Sequence, residues 1–282
     1  MSERPGLIAL LACTVGCGPG LVSASGESDT STSTSTEAET ESTSETGDPD
    51  PFVYELVEVP GGWFVMGCAE GLDPFCEPWE FPPHEVLLED FSIGKYEVTV
   101  AEYRACVEAG SCETPGSCHW TTPGYEQHPI NCVSWSQAVD FCEWIGGRLP
   151  SEAEWEKAAR SDDARVYPWG NDPLTCERVV SSDLCNSNGA EPVGSRPAGA
   201  SPYGALDMLG NLQEWVSDWY ADDYYAVSEP VNPLGPSDPT CCKVTRGGQV
   251  GYVPEVFRCS YRNWFGVEEW NGNQIGFRCV VE

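Results

Sequence analysis

Basic residues are scarce in this chain of 282: 14 Lys and Arg stand against 45 Asp and Glu, a formal charge of −31, and none lies between Arg4 and Lys95. Such a surface repels a phosphate backbone, so nucleic acid is not expected as a partner. Long apolar runs are also missing. No stretch reaches the ~18 residues of a membrane-spanning helix, which leaves only the N-terminus to carry a membrane signal. There is no C-x-x-C, and His84, His119 and His128 form no pair at metal-site spacing, so zinc is disfavoured. No internal repeat is present. What is abundant is 15 Cys, 11 Trp, 29 Gly and 23 Pro, the composition of a globular, turn-rich, crosslinked protein rather than a coiled coil or helical repeat.

Residues 1–20 place Arg4 before a short apolar stretch, Leu7 to Ala12, that ends among small residues and two cysteines. This is the pattern of an export signal, and it resembles a bacterial lipoprotein signal in which a small residue precedes the lipidated Cys. Leu10-Leu11-Ala12-Cys13 fits the motif better, whereas Cys17 leaves the more usual signal length; Cys17 is preferred. A cleaved secretory peptide without lipid is the alternative. Both export the protein, to the bacterial cell envelope with a membrane anchor if the Cys is lipidated.

Residues 21–50 form a Ser/Thr/Glu-rich tether. From Ala24 to Asp50 there are 14 Ser/Thr and 8 Asp/Glu with no aromatic or branched aliphatic side chain, so nothing offsets the entropy of ordering and disorder is expected. At Pro51 the composition changes, and 51–282 reads as one domain.

Three helix starts follow one rule, Ser or Thr with Glu or Gln three residues on: Thr99/Glu102, Ser134/Gln137 and Ser151/Glu154. The first helix is expected to bury Tyr103, Cys106 and Val107, the second Trp135, Ala138, Val139 and Cys142, and the third Trp155 with Ala158 and Ala159. Short strands are expected at 52–59, 63–66, 86–88, 91–93, 244–246 and 276–281. The rest is loop, more than ordinary domains carry. Close spacing in an oxidising compartment suggests local disulfides Cys68–Cys76, Cys106–Cys112, Cys118–Cys132 and Cys176–Cys185.

The blocks PGGWFVMGC (60–68), HEVLLEDFSIGKYEVTVAEY (84–103), HPINCVSWSQAVDFCEW (128–144), GGRLPSEAEWEKAAR (146–160), YPWGN (167–171), PVGS (192–195), YGALDMLGNLQEWVSDWY (203–220), RGG (246–248) and GFRC (276–279) occur in order. Together they resemble the sulfatase-modifying-factor, or formylglycine-generating enzyme, family across nearly all of 51–282. The resemblance implies an irregular, C-type-lectin-like α+β fold with little regular secondary structure. It also implies a disulfide Cys142–Cys279. The family's second disulfide would use Cys259, but Ala159 stands at its partner's position, which leaves Cys241, Cys242 and Cys259 unassigned.

The resemblance further implies a calcium site in which Asp207 gives a side-chain oxygen, Gly210 and Leu212 give carbonyls and Glu214 gives its carboxylate. Hard oxygen donors suit Ca²⁺, and Asp207 replaces the family's usual Asn. Copper is not expected. Oxidising members of the family bind it through two cysteines after the RGG turn, and Gln249 to Arg258 contains none; soft thiolates are what select Cu(I). Another branch holds iron through histidines of an extra N-terminal helical domain, for which residues 1–50 are too short and polar.

Two functions remain. One is a binding or structural module that receives a peptide or protein ligand in a cleft lined by Trp169, Gln249, Tyr252, Arg258, Trp264 and Trp270. The other is a formylglycine-generating oxidase acting on a Cys-x-Pro-x-Arg segment of a sulfatase. A Ser-His-Asp hydrolase lacks its nucleophile-elbow motif.

Overall fold

A computed structural model of the chain describes residues 53–239, 241–266 and 272–282. The signal, the tether, Cys13, Cys17 and Trp270 lie outside them. The described part is α+β with little regular structure. Strands β1 (Leu56–Val59), β4 (Phe91–Gly94) and β9 (Val280–Val281) form one antiparallel sheet, and β2 (Gly62–Met66) pairs with β3 (His84–Leu88) in a hairpin. The third sheet runs β7 (Asn263–Gly266), β6 (Cys242–Arg246), β5 (Gln213–Trp219), β8 (Ile275–Phe277), with β5 and β8 parallel.

Helices α1 (Val100–Glu108), α2 (Trp135–Trp144) and α3 (Glu152–Arg160) start at the three expected residues, each with a complete capping box. In each, the Ser or Thr side chain accepts from the N–H three residues on, and the Glu or Gln accepts in return. A short α4 (Ser182–Cys185) follows.

The faces differ in part from the periodic reading. α1 buries Val100, Tyr103 and Cys106, with Val107 only half-buried, and α2 buries Ala138, Phe141 and Cys142, with Trp135 and Val139 half-buried. All nine residues of α3 are buried, charged ones included. The reason is its central place: α3 packs on β2, β3, β5 and β6, so no side faces water.

Strand β5 divides the core. Val216 joins the apolar cluster of Phe64, Val86, Trp155, Val244 and Phe257, while its neighbour Trp215 joins Tyr103, Phe141, Ile275 and Phe277 under α1 and α2. Successive strand residues point to opposite faces, so one strand serves two cores.

What replaces ladders in the loops is a set of buried guanidinium groups. Arg246 reaches Glu152 and Glu156, Arg262 bonds Glu152, Arg160 pairs with Glu156, and Arg278 pairs with Glu214. All four arginines and all three acids are at most 1% exposed. Such charges are tolerated only because each fork is matched by a carboxylate and by loop carbonyls, as where Arg278 donates to Gly94 O and Leu206 O.

Disulfides join Cys68–Cys76, Cys106–Cys112, Cys118–Cys132, Cys142–Cys279 and Cys176–Cys185. The adjacent Cys241 and Cys242 are paired with each other, and Cys259 is the free cysteine among the described residues.

Candidate functional site

The loop 207–212 and the turn after β6 meet back to back. Gly210 N donates to Gly247 O at 3.0 Å, and Val250 N donates to Asn211 O at 3.0 Å. The contact needs glycine at 247: a Cβ there would stand 3.0 Å from Met208 O, and its φ is +89°.

On one side of this junction lie three buried carboxyls around one guanidinium. Glu214 takes Arg278 as a fork at 2.7 Å on both oxygens and also accepts from Trp155 Nε1 at 2.8 Å. Asp207, in the left-handed region at φ 57°, accepts Gly194 N at 2.6 Å. Burial, opposed by that bond and by Arg278, raises its carboxyl to about 6. Glu97 accepts Leu212 N at 2.9 Å and Asn211 Nδ2 at 2.6 Å. Burial first, then the charges of Asp207 and Glu214, push it well above the ordinary carboxylate range. Three acids face one cation, so the cluster needs a proton or a further cation to balance it.

The expected calcium ligands can be tested against this arrangement. A carboxylate offers about four lone-pair sites, and Glu214 has three N–H donors, so one site on the singly bonded oxygen is open. Asp207 has a whole oxygen beyond its bond to Gly194. In kind, these two open carboxylate oxygens are the donors a hard cation takes. Sequence reasoning missed Glu97, although it stands in the KYEVT block: only the fold brings it against Asn211 and Leu212.

On the other side lies a buried polar network. Tyr252 Oη accepts from Gln213 Nε2 at 2.7 Å and from Asn263 Nδ2 at 2.9 Å, while Gln213 Oε1 accepts from Thr245 Oγ1 at 2.8 Å. Gln249 is 4% exposed and its Oε1 has no partner. Neither Gln213 nor Asn263 was singled out from the sequence; both sit on strands, one of them buried, where no local signal marks them.

Of the six expected cleft residues five are described, and two of those five are interior. Arg258 is 2% exposed and spent on Glu80 at 2.6 Å and Asp73 at 2.7 Å, and Gln249 is likewise buried. These two are corrected from lining residues to interior ones, because a guanidinium between two buried acids has no reason to face solvent. Trp169 stacks on Tyr167 at 5.2 Å under Arg178. Trp264 stacks on Tyr220 at 4.2 Å and meets Trp79 edge-on.

Cys259 has no exposed surface, and burial, against the pull of Arg160, pushes its thiol up to about 12. A buried thiol held neutral is a poor nucleophile.

With this geometry in view, the chain belongs to a defined class: residues 42–282 match the family model of the sulfatase-modifying factor enzyme 1-like domain. It is 31% identical over 254 residues to the serine/threonine-protein kinase pkn1 of Chlamydia pneumoniae, covering 82% of this chain and 38% of that one. The chain thus spans well under half of the first curated relatives it matches. It is 31% identical to the formylglycine-generating enzyme of Thermomonospora curvata, covering 83% of this chain and 95% of that one. Among solved structures, PvdO from Pseudomonas aeruginosa superposes with a TM-score of 0.69 at 27% identity, over 80% of this chain and 94% of PvdO.

Proposed function

We propose that the chain is an exported, lipid-anchored member of this family that acts as a binding or structural module in the bacterial cell envelope rather than as a copper oxidase. The observation that carries this reading is the chemistry of the turn after β6. Where copper-dependent relatives need two thiolates, Gln249 stands buried and Tyr252 joins an amide and phenol network with Gln213 and Asn263. Oxygen and amide donors do not hold Cu(I). Its ligand, on this reading, is a peptide or protein segment received by the aromatic residues that stay partly exposed, Trp169, Tyr252 and Trp264. Calcium held by Asp207, Glu214 and the carbonyls of Gly210 and Leu212 offsets the buried acids beside that network and fixes the loop on which it rests.

The test is incubation of the purified chain with Cu(I), oxygen and a Cys-x-Pro-x-Arg peptide. Mass spectrometry is expected to find the peptide unchanged. Conversion of its thiol to an aldehyde establishes the oxidase instead. For the anchor, labelled palmitate is expected in wild type and lost in Cys17→Ala; label that survives Cys17→Ala but not Cys13→Ala moves the anchor.

A further inference from the structure

Between β2 and β3 the chain runs Cys68-Ala-Glu-Gly-Leu-Asp73-Pro-Phe-Cys76, and this loop folds three potential metal donors together. The two sulfurs and a carboxylate oxygen of Asp73 lie within 4.8 Å of one another. Cys68 Sγ is 3.4 Å from Asp73 Oδ2, and Cys76 Sγ is 3.4 Å from Asp73 O. The loop is held in this shape by its own backbone, with Leu72 N and Asp73 N both donating to Ala69 O at 3.0 Å. Behind it stands Arg258, with Nη1 2.7 Å from Asp73 Oδ2 and 3.9 Å from Cys68 Sγ. Cys68 is buried, Cys76 is half-buried, and Phe75 beside it is 47% exposed, so a small ion or reductant reaches the pair from the Cys76 side.

We propose that Cys68, Asp73 and Cys76 form a zinc site that the disulfide closes and reduction opens. No C-x-x-C occurs in the chain; the spacing here is C-x₄-D-x₂-C, and only the turn brings the three side chains together. The donor set selects the metal. Two thiolates with one carboxylate suit borderline Zn²⁺, whereas calcium takes oxygen alone and Cu(I) takes sulfur. Three protein ligands leave the fourth tetrahedral position for water or a bound ligand. Zn²⁺ with three anionic ligands carries one net negative charge, which Arg258 faces.

The chemistry balances. A dithiol attacks the Cys68–Cys76 bond, gives up two electrons and two protons, and leaves as its own cyclic disulfide, with both cysteines now thiols. Zinc then binds as the two thiol protons are released. In an oxidising compartment the pair stays closed, so zinc capture reports the redox state of the chain.

The test uses the full chain, oxidised or treated with dithiothreitol and desalted without oxygen, titrated with Zn²⁺ and with Co²⁺ as the spectroscopic substitute. Reduced wild type is expected to bind one equivalent more than reduced Cys68→Ser/Cys76→Ser and to show thiolate-to-cobalt charge-transfer absorption. Oxidised wild type is expected to lack that equivalent. Asp73→Asn, which keeps both thiols and needs no disulfide change to fold, is expected to bind at least about tenfold more weakly. Equal stoichiometry in reduced wild type and the double variant overturns the site. Equal binding by oxidised and reduced wild type overturns the gating, and an unchanged Asp73→Asn overturns the carboxylate ligand.

Discussion

Asp218 is a buried acid whose carboxylate oxygen accepts Glu152 N at 2.8 Å and Ser217 Oγ at 3.0 Å, with no guanidinium bonded to it. Burial, followed by the charge of Glu152, raises it to about 7. Unfolded Asp titrates near ~3.9, so the folded chain holds the proton more tightly, and the stability this contributes is complete below ~4 and lost as pH rises to about 7. Its slope approaches about 1.4 kcal/mol per pH unit inside that window. Asp218→Asn keeps an acceptor for Glu152 N and carries no charge at any pH. Urea unfolding is expected to give a flatter profile between pH 4 and 7 for this variant, with little difference from wild type near pH 4 and a gain that grows to its full size by pH 8. Identical profiles would show that Asp218 is ionised throughout. Around the buried Arg258 opposite charge shares that role: it pairs with Asp73 and Glu80, which offsets part of the desolvation, although burial still holds Glu80 above its ordinary value.

At the scale of elements, what the sequence made legible was local. The three capping boxes mark helix starts because the residues that satisfy the first N–H groups lie within one turn. The hairpin β2–β3 and strand β4 appear within two residues of their expected bounds. Strand β5 was not legible, nor was β7. In QEWVSDW the polar residues Gln213, Glu214 and Asp218 are as buried as their apolar neighbours, so alternation is absent. Their partners, Thr245, Arg278 and Glu152 N, come from other parts of the chain. The same holds for the site: Asp207 and Glu214 stood out in one block, while Glu97, Gln213 and Asn263 join them only through the fold.

Crosslinks divide by the length they close. Cys142–Cys279 ties α2 to the C-terminal strands across 137 residues, and Cys106–Cys112 spans 6. The chain-entropy model assigns about 5 kcal/mol to the first and about 2 to the second. All four sulfurs are buried, so transfer terms are alike. Cys142→Ala/Cys279→Ala is therefore expected to lose about 3 kcal/mol more in urea than Cys106→Ala/Cys112→Ala. Equal losses would place the stabilisation in the folded state's local packing instead.

For the molecule as a whole, the charge of −31 is not evenly available to solvent, since arginines 160, 246, 258, 262 and 278 are all buried. The surface is poorer in cations than the composition states, and cations are drawn toward it. The same imbalance exists inside, where Glu97, Asp207 and Glu214 share Arg278. A proton or a metal ion must supply the missing positive charge, and the two compete. With Asp207 raised to about 6, protons win at low pH and calcium gains as pH climbs through that value. Calcium is expected to raise the thermal midpoint of the full chain strongly at pH 7.5 and weakly at pH 5. The shift should grow with concentration as mass action requires. Asp207→Asn keeps the side-chain oxygen but removes the titrating charge, so its calcium response should be weaker at pH 7.5 and nearly independent of pH. A wild-type midpoint that ignores calcium at both pH values would leave the proton as the only countercharge, with Glu97 its holder.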